Sequence, residues 1–236
     1  MLKSFIKNTN AFAITYLIVL ILDVFIKFNL PVLPYRYISK FLIISFLLIL
    51  IILQKNWKKN HFWVFFALVS FYIGDLFLFD YNNIICLVIS IFFFSLGKVF
   101  LCIKFSHKND FNIVRLIPFA IITFGYVIFL VWYLYNNLDS FFAPVLATFF
   151  LTLAMLQLAF LRKDVFSRMS YRYVFLGVML FVITESIVGI EIFKIAIPYI
   201  EYIDSIIYGC SLYFIVIGLL REKDCDQLKK EEINLS

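Results

Sequence analysis

Apolar runs and short polar breaks alternate along almost the whole chain. Eight runs approach the roughly 20 residues that a helix needs to cross the hydrocarbon layer of a bilayer. They are 11–28, 38–53, 62–80, 84–103, 113–135, 141–161, 173–197 and 201–220. The breaks have physical causes. Pro31 and Pro34 cannot continue a helix. Gln54 to Asn60 is polar and carries three lysines, and Lys104 to Asp110 is polar and charged. Asp80-Tyr-Asn-Asn and Asn136-Asn-Leu-Asp read as tight turns. Arg162 to Arg172 reads as the longest polar loop, and Pro198 separates the last two runs. The pattern predicts an all-α polytopic membrane protein: one domain of eight transmembrane helices over 1–220, then a short charged tail over 221–236.

Composition narrows the class further. Of 236 residues, 64% are hydrophobic and only 15% charged, with a mean hydropathy of +0.99. A soluble domain is near half apolar and about a quarter charged, and one core of this size cannot hide such an excess. A soluble enzyme and a disordered chain are both excluded. The net charge of +6 does not point to nucleic acid, because membrane proteins concentrate Lys and Arg in cytoplasmic loops. Four cysteines and two histidines, His61 and His107, form no ligand spacing, so neither a disulfide framework nor a metal site is expected.

The distribution of positive charge sets an orientation. Sixteen of the 21 Lys and Arg fall in the two tails and in the second, fourth and sixth loops or just beside them. The opposite side holds Lys27, Arg36, Lys40 and Lys194, and Lys98 lies within a run. Eight spans with both termini cytoplasmic satisfy the positive-inside rule throughout. The sixth-loop arginines read as topology signals and contacts to anionic lipid.

Ionisable groups within a span are costly, and they persist where they line a wet cavity or pair with one another. Here they are Asp23, Lys27, Lys40, Asp75, Lys98, Glu185 and Glu191, with Glu201 and Asp204 at the mouth of the last run. Asp75 sits five residues before Asp80, about 7 Å below the outer end at the helical rise. Asp23 is about as deep, and Glu185 is near the middle of its run. All but Lys98 fall in the outer half, which predicts one polar cavity opening away from the cytoplasm. Asp23 and Lys27 form an i,i+4 pair and read as structural. Lys98 reads as a side chain snorkelling to the inner surface, and Lys194, Glu201 and Asp204 read as solvated. Glu201, Asp204, Tyr208 and Ser211 share one stripe. Asp75 and Glu185, deep and without a partner in their own helices, are the strongest candidates for function. The 31 phenylalanines read as lipid-facing and packing residues.

Several short motifs stand in a recognisable order. Lys40 opens the second run in Ser39-Lys40-Phe41, and Gly74-Asp75 closes the third within Phe71-Tyr-Ile-Gly74-Asp75-Leu-Phe-Leu. Gly97 follows in Phe94-Ser-Leu-Gly97, then Pro144-Val145 with Met155. Gly177-Val-Met-Leu-Phe181-Val-Ile-Thr184-Glu185-Ser186 comes next, with Phe193 after it, and Tyr208 and Gly218 lie in the last run. Together these resemble the YhhN-like lysoplasmalogenase family of eight-span membrane proteins, over most of the chain. Three departures from its pattern stand out. Thr184-Glu185 stands for Ser-Asp, Phe105 and Lys108 for a His and a Tyr, and Leu212 for a Gln.

The resemblance implies hydrolysis of the vinyl-ether bond of a lysoplasmalogen to a fatty aldehyde and a glycerophospho-base, with no cofactor and no metal. Vinyl ethers are cleaved by acid, which calls for one protonated carboxyl and one carboxylate in unequal environments. Asp75 and Glu185 are expected to face one another. The deeper Glu185 is the candidate general acid, and Asp75 the base and cation stabiliser. Lys40 would bind the substrate phosphate or set the charge of Asp75, and Tyr208 would orient water or substrate. Expected partners are the lysophospholipid and membrane lipids, with neither nucleic acid nor a protein partner. Short loops fit a bacterial inner membrane. The replaced His, Tyr and Gln leave open a lipid-binding or sensing protein without catalysis. A transporter is disfavoured because the halves show no repeat.

Overall fold

A computed structural model describes residues 9–29, 35–54, 61–106, 113–163 and 165–222. Eight α-helices carry these residues: α1 (Thr9–Asn29), α2 (Tyr35–Ile52), α3 (Phe62–Leu78), α4 (Ile84–Phe105), α5 (Ile113–Leu134), α6 (Phe142–Leu161), α7 (Arg168–Phe193) and α8 (Ile200–Leu220). Two 3-10 turns, Tyr135–Asn137 and Asp139–Phe141, join α5 to α6. No β-strand occurs among the described residues. Six of the helices are long and apolar enough to cross a membrane, and two shorter apolar stretches, Lys40–Ile52 and Phe62–Leu78, accompany them. The chain is thus all-α, with the composition of a multi-pass membrane protein. His107, Lys108 and the tail from 223 onward lie outside the described residues.

Local chemistry explains several ends. Asn83 caps α4, its side chain accepting from the Ile85 N–H at 3.0 Å. Pro144 falls in the first turn of α6, where a missing N–H costs nothing. One boundary departs clearly from the expectation. The stretch read as the longest polar loop is half helix, because Ser167 caps α7 by accepting from Ser170 N–H at 3.4 Å. Arg168 and Arg172 therefore lie within the first turns of α7, whose last residue is Phe193 rather than 197.

Seven helices close a ring in the order α1–α2–α3–α4–α6–α7–α8, and α5 packs outside it against α6 and α7. The buried α5 residues are Thr123, Val127, Leu130 and Leu134, while Ile121, Ile122, Ile128 and Trp132 point outward. The closest pairs are interlocked by glycine. A Cβ on Gly97 of α4 would lie 2.4 Å from the Phe71 ring of α3, and one on Gly74 would lie 2.9 Å from Phe94 of α4. Between α7 and α8 the approach is backbone to backbone. A Cβ on Gly177 would lie 2.7 Å from Ile215 N, and one on Gly218 2.7 Å from Val174 N. Small residues that let helix backbones touch are the usual device where apolar burial cannot drive association.

The alternating helices place Phe12, near the start of α1, beside Tyr213 in the last turns of α8, so the start of α1 and the end of α8 lie at one end of the bundle. That terminal end is solid. Its core takes Phe12 and Tyr16 from α1, Leu47 and Ile51 from α2, Val64 and Leu68 from α3, with matching residues of α4, α6, α7 and α8. The other end, where the 80–83, 135–141 and 194–199 turns lie, is hollow.

Candidate functional site

An aromatic floor separates the two ends. Phe71, Phe94, Phe181 and Tyr208 contact one another with ring centroids 5.2–6.4 Å apart. Above it lies a cavity of about 100 Å³ with mostly apolar walls, among them Leu87, Val145, Phe149 and Val188. Its polar wall brings together Asp75, Lys98, Thr184, Glu185, Asp204 and Tyr208. Leu78, Val188, Ile192 and Asp204 are shared with a second, outer cavity of about 250 Å³, lined also by Lys27, Lys40, Glu191 and Glu201. The first is an apolar chamber and the second a charged vestibule beside it.

Each deep carboxylate has a lysine from another helix. Lys40 of α2 donates to Asp75 Oδ1 of α3 at 2.8 Å. Lys98 of α4 contacts Glu185 Oε1 of α7, and the Thr152 hydroxyl of α6 donates to Glu185 Oε2. Lys98 is fully buried, so it does not snorkel to the inner surface as the sequence led us to expect. Side-chain direction explains the difference. The Cα–Cβ bond leans toward a helix's N-terminus. Lys98 lies on a helix descending from the hollow end, so its chain climbs toward that end, and Glu185 lies on a helix running the other way, so its carboxyl leans down to meet it.

Asp204 is likewise no solvated mouth residue, being partly buried on the wall common to both cavities, where its Oδ1 accepts from the Thr184 hydroxyl. Two polar atoms on the chamber wall have no hydrogen-bond partner among the described residues, Asp75 Oδ2 and the Tyr208 hydroxyl. The Tyr208 hydroxyl faces Asp75, and neither atom has another partner among the described residues.

Around the chamber the helices are tied by polar links. The Ser90 hydroxyl of α4 donates to the Gly74 carbonyl of α3 at 2.9 Å, and Ser95 of α4 meets Thr148 of α6 at 2.9 Å. The Asp23–Lys27 pair forms at 3.0 Å and is buried, with Ser205 of α8 bonded to both. Its role is structural, joining α1 to α8. Glu191 caps the turn before α8 by accepting from the Ile197 N–H. Lys194 donates to the Tyr133 carbonyl at 2.5 Å in an exposed setting. Tyr126 of α5 donates to Ser186 of α7 at 2.6 Å.

All four residues singled out from sequence are thus placed on these two cavities. Asp75, Glu185 and Tyr208 line the chamber, and Lys40 lines the vestibule while bonded to Asp75. Lys98, Thr184 and Asp204 join them, and the signal that could have found them was already there: charged or hydroxyl residues inside apolar runs. Among the described residues no group of three or more His, Cys, Asp or Glu is arranged to hold a metal ion.

No curated protein and no solved structure matches the chain. A model of the YhhN family matches residues 35–219, which spans α2 to α8 and so every residue of the chamber wall. The chain belongs to the YhhN family.

Proposed function

We propose that the protein is a membrane-embedded hydrolase that cleaves the vinyl-ether bond of lysoplasmalogen-like lysophospholipids, releasing a fatty aldehyde and a glycerophospho-base. The observation that carries this reading is that Asp75 and Glu185 line one chamber whose other walls are apolar, next to a vestibule holding Lys27 and Lys40. A single-chain amphiphile has the same division. Its alkenyl chain suits the walls of Val145, Phe149 and Val188, and its phosphate suits Lys40. The bond between chain and head group then falls beside the carboxyls.

The chemistry follows from the vinyl ether. Protonation of the carbon beta to oxygen gives an oxocarbenium ion, water adds, and the hemiacetal collapses. Glu185, held by Lys98 and Thr152, is placed to stabilise the cation. Asp75, held by Lys40 through one oxygen with Oδ2 unpartnered, is suited to take a proton from water. The Tyr208 hydroxyl, also unpartnered, would orient that water. In this reading the helices cross a bacterial inner membrane with both termini cytoplasmic, and the cavities open toward the opposite side. Purified protein should release aldehyde from a vinyl-ether lysophospholipid. Asp75→Asn and Glu185→Gln should each lower the rate by about 10²-fold or more, the scale of acid–base assistance. A wild-type protein that binds the lipid and releases no aldehyde would overturn the hydrolase.

A second reading is a lipid-binding or sensing protein without catalysis. The tight Lys98–Glu185 and Lys40–Asp75 pairs favour it, since they could serve as cross-links alone. It predicts that Asp75→Asn and Glu185→Gln leave the cellular phenotype unchanged.

A further inference from the structure

The chamber wall holds three carboxyls and one lysine, Lys98, and a second lysine, Lys40, reaches one of those carboxyls from the vestibule. Lys40 sits on Asp75 and Lys98 on Glu185. Asp204 has no lysine or arginine within ion-pair reach among the described residues, and its Oδ1 is engaged by a neutral hydroxyl, that of Thr184. The charged groups that line the two cavities with it are Lys27 of α1, Lys40 of α2, Asp75 of α3, Lys98 of α4, Glu185 and Glu191 of α7, and Glu201 one turn earlier on α8. With four other carboxyls against three lysines in those walls and no cation bonded to it, a carboxyl removed from water is most stable with its proton on.

We propose that Asp204 is the proton donor of this site, the carboxyl that carries a proton in the resting protein and gives it to the vinyl carbon. This rests on the vinyl-ether reading above and replaces Glu185 in the acid role, since a carboxylate clamped by Lys98 is poorly placed to hold a proton. Asp204 is on the wall shared by chamber and vestibule, which is where the bond between an apolar chain and a charged head group comes to lie.

The proton count closes over the cycle. Asp204 gives its proton to the carbon beta to oxygen, and the new C–H bond leaves an oxocarbenium ion facing the Glu185 carboxylate. Water adds to that ion and passes one proton to Asp75. On collapse the hemiacetal O–H proton returns to Asp204, the C–O bond to glycerol breaks, and the proton held by Asp75 goes to the departing oxygen. One water is consumed, and both carboxyls regain their starting states.

Two measurements on the purified full chain test this. The first is aldehyde release from a vinyl-ether lysophospholipid, alongside binding of the alkyl-ether analogue that cannot be cleaved. Asp204→Asn should lose about 10²-fold or more in turnover with analogue binding within about twofold of wild type, and Asp204→Glu should recover part of the rate. Asp204→Asn that keeps its turnover and its pH profile overturns the assignment. The second is infrared spectroscopy of the carboxylic C=O stretch in H₂O and D₂O. Wild type should show a protonated-carboxyl band that Asp204→Asn removes, and a band that survives the substitution, or is missing from wild type, overturns it. A wild type that releases no aldehyde sinks the vinyl-ether reading, and the infrared band still decides whether Asp204 holds the proton.

Discussion

At the terminal end of the ring, Leu47, Ile51, Leu68, Met155, Ala159 and Val178 belong to one buried hydrophobic cluster. At the hollow end the same helices present Lys40, Asp75, Lys98 and Glu185 around open space. The terminal end also buries a charge, Arg162, but treats it differently. Its guanidinium lies 4.2 Å from the Phe166 ring centroid, 3.5 Å from Ser170 Oγ and 3.7 Å from Glu222, and the Ser170 hydroxyl donates to the Gly218 carbonyl at 2.7 Å. That side chain is wrapped, fully buried and far from either cavity. It is therefore no lipid contact, contrary to what its place in a basic loop implied. Burial of charge alone does not mark a site. What marks it is charge on the wall of a space that a guest can enter.

The contrast can be broken from either side. The largest effect should come from Lys98→Met, which strands Glu185 without its cation in the hydrocarbon layer. Stability should fall by about 3–5 kcal/mol, read by unfolding in mixed micelles. Adding Glu185→Gln should restore much of that stability while activity stays lost, because the cross-link and the chemistry share one carboxylate. If the double variant is no more stable than Lys98→Met, the pair is not what holds α4 to α7.

Glycines sharpen the same comparison at a smaller scale. Gly177 faces the backbone of α8, whereas nothing comes nearer than 3.8 Å to a Cβ on Gly189, which borders the chamber. Gly177→Val should cost about 1–3 kcal/mol by forcing α7 from α8. Gly189→Val should leave unfolding nearly unchanged and weaken binding of a single-chain lysolipid. The reverse ranking would mean that the hollow closes in the membrane. The smallest effect should belong to Tyr208→Phe. Its hydroxyl has no partner among the described residues, so stability should move by less than about 1 kcal/mol, while turnover falls several-fold if that hydroxyl orients water.

Much of this was readable from the residues in order. Eight apolar runs became eight helices, and Asp75 and Glu185, both placed in the outer half by counting residues, line one chamber. Lys98 was misjudged because depth was reckoned from Cα positions, and a lysine leaning along its helix moves its charge by more than a turn. Asp204 was misjudged because its position four residues into α8 looked like an interface, and only the turn between α7 and α8 shows that this part of the helix is roofed by the vestibule. The start of α7 was hidden by Arg168 and Arg172, which a helix end tolerates when their chains can reach polar surroundings. Ring order, with α5 left outside, has no signature in a single sequence, because largely apolar helices with a few scattered polar residues do not say which neighbour each face meets.

The most direct test is a structure of the full chain with a bound alkyl-ether lysophospholipid. The chain should run between Phe149 and Gly189, the ether oxygen should lie beside Asp75, Glu185 and Asp204, and the phosphate should lie against Lys40. A lipid seated only on the outer face of α5, with the chamber empty, would contradict the account.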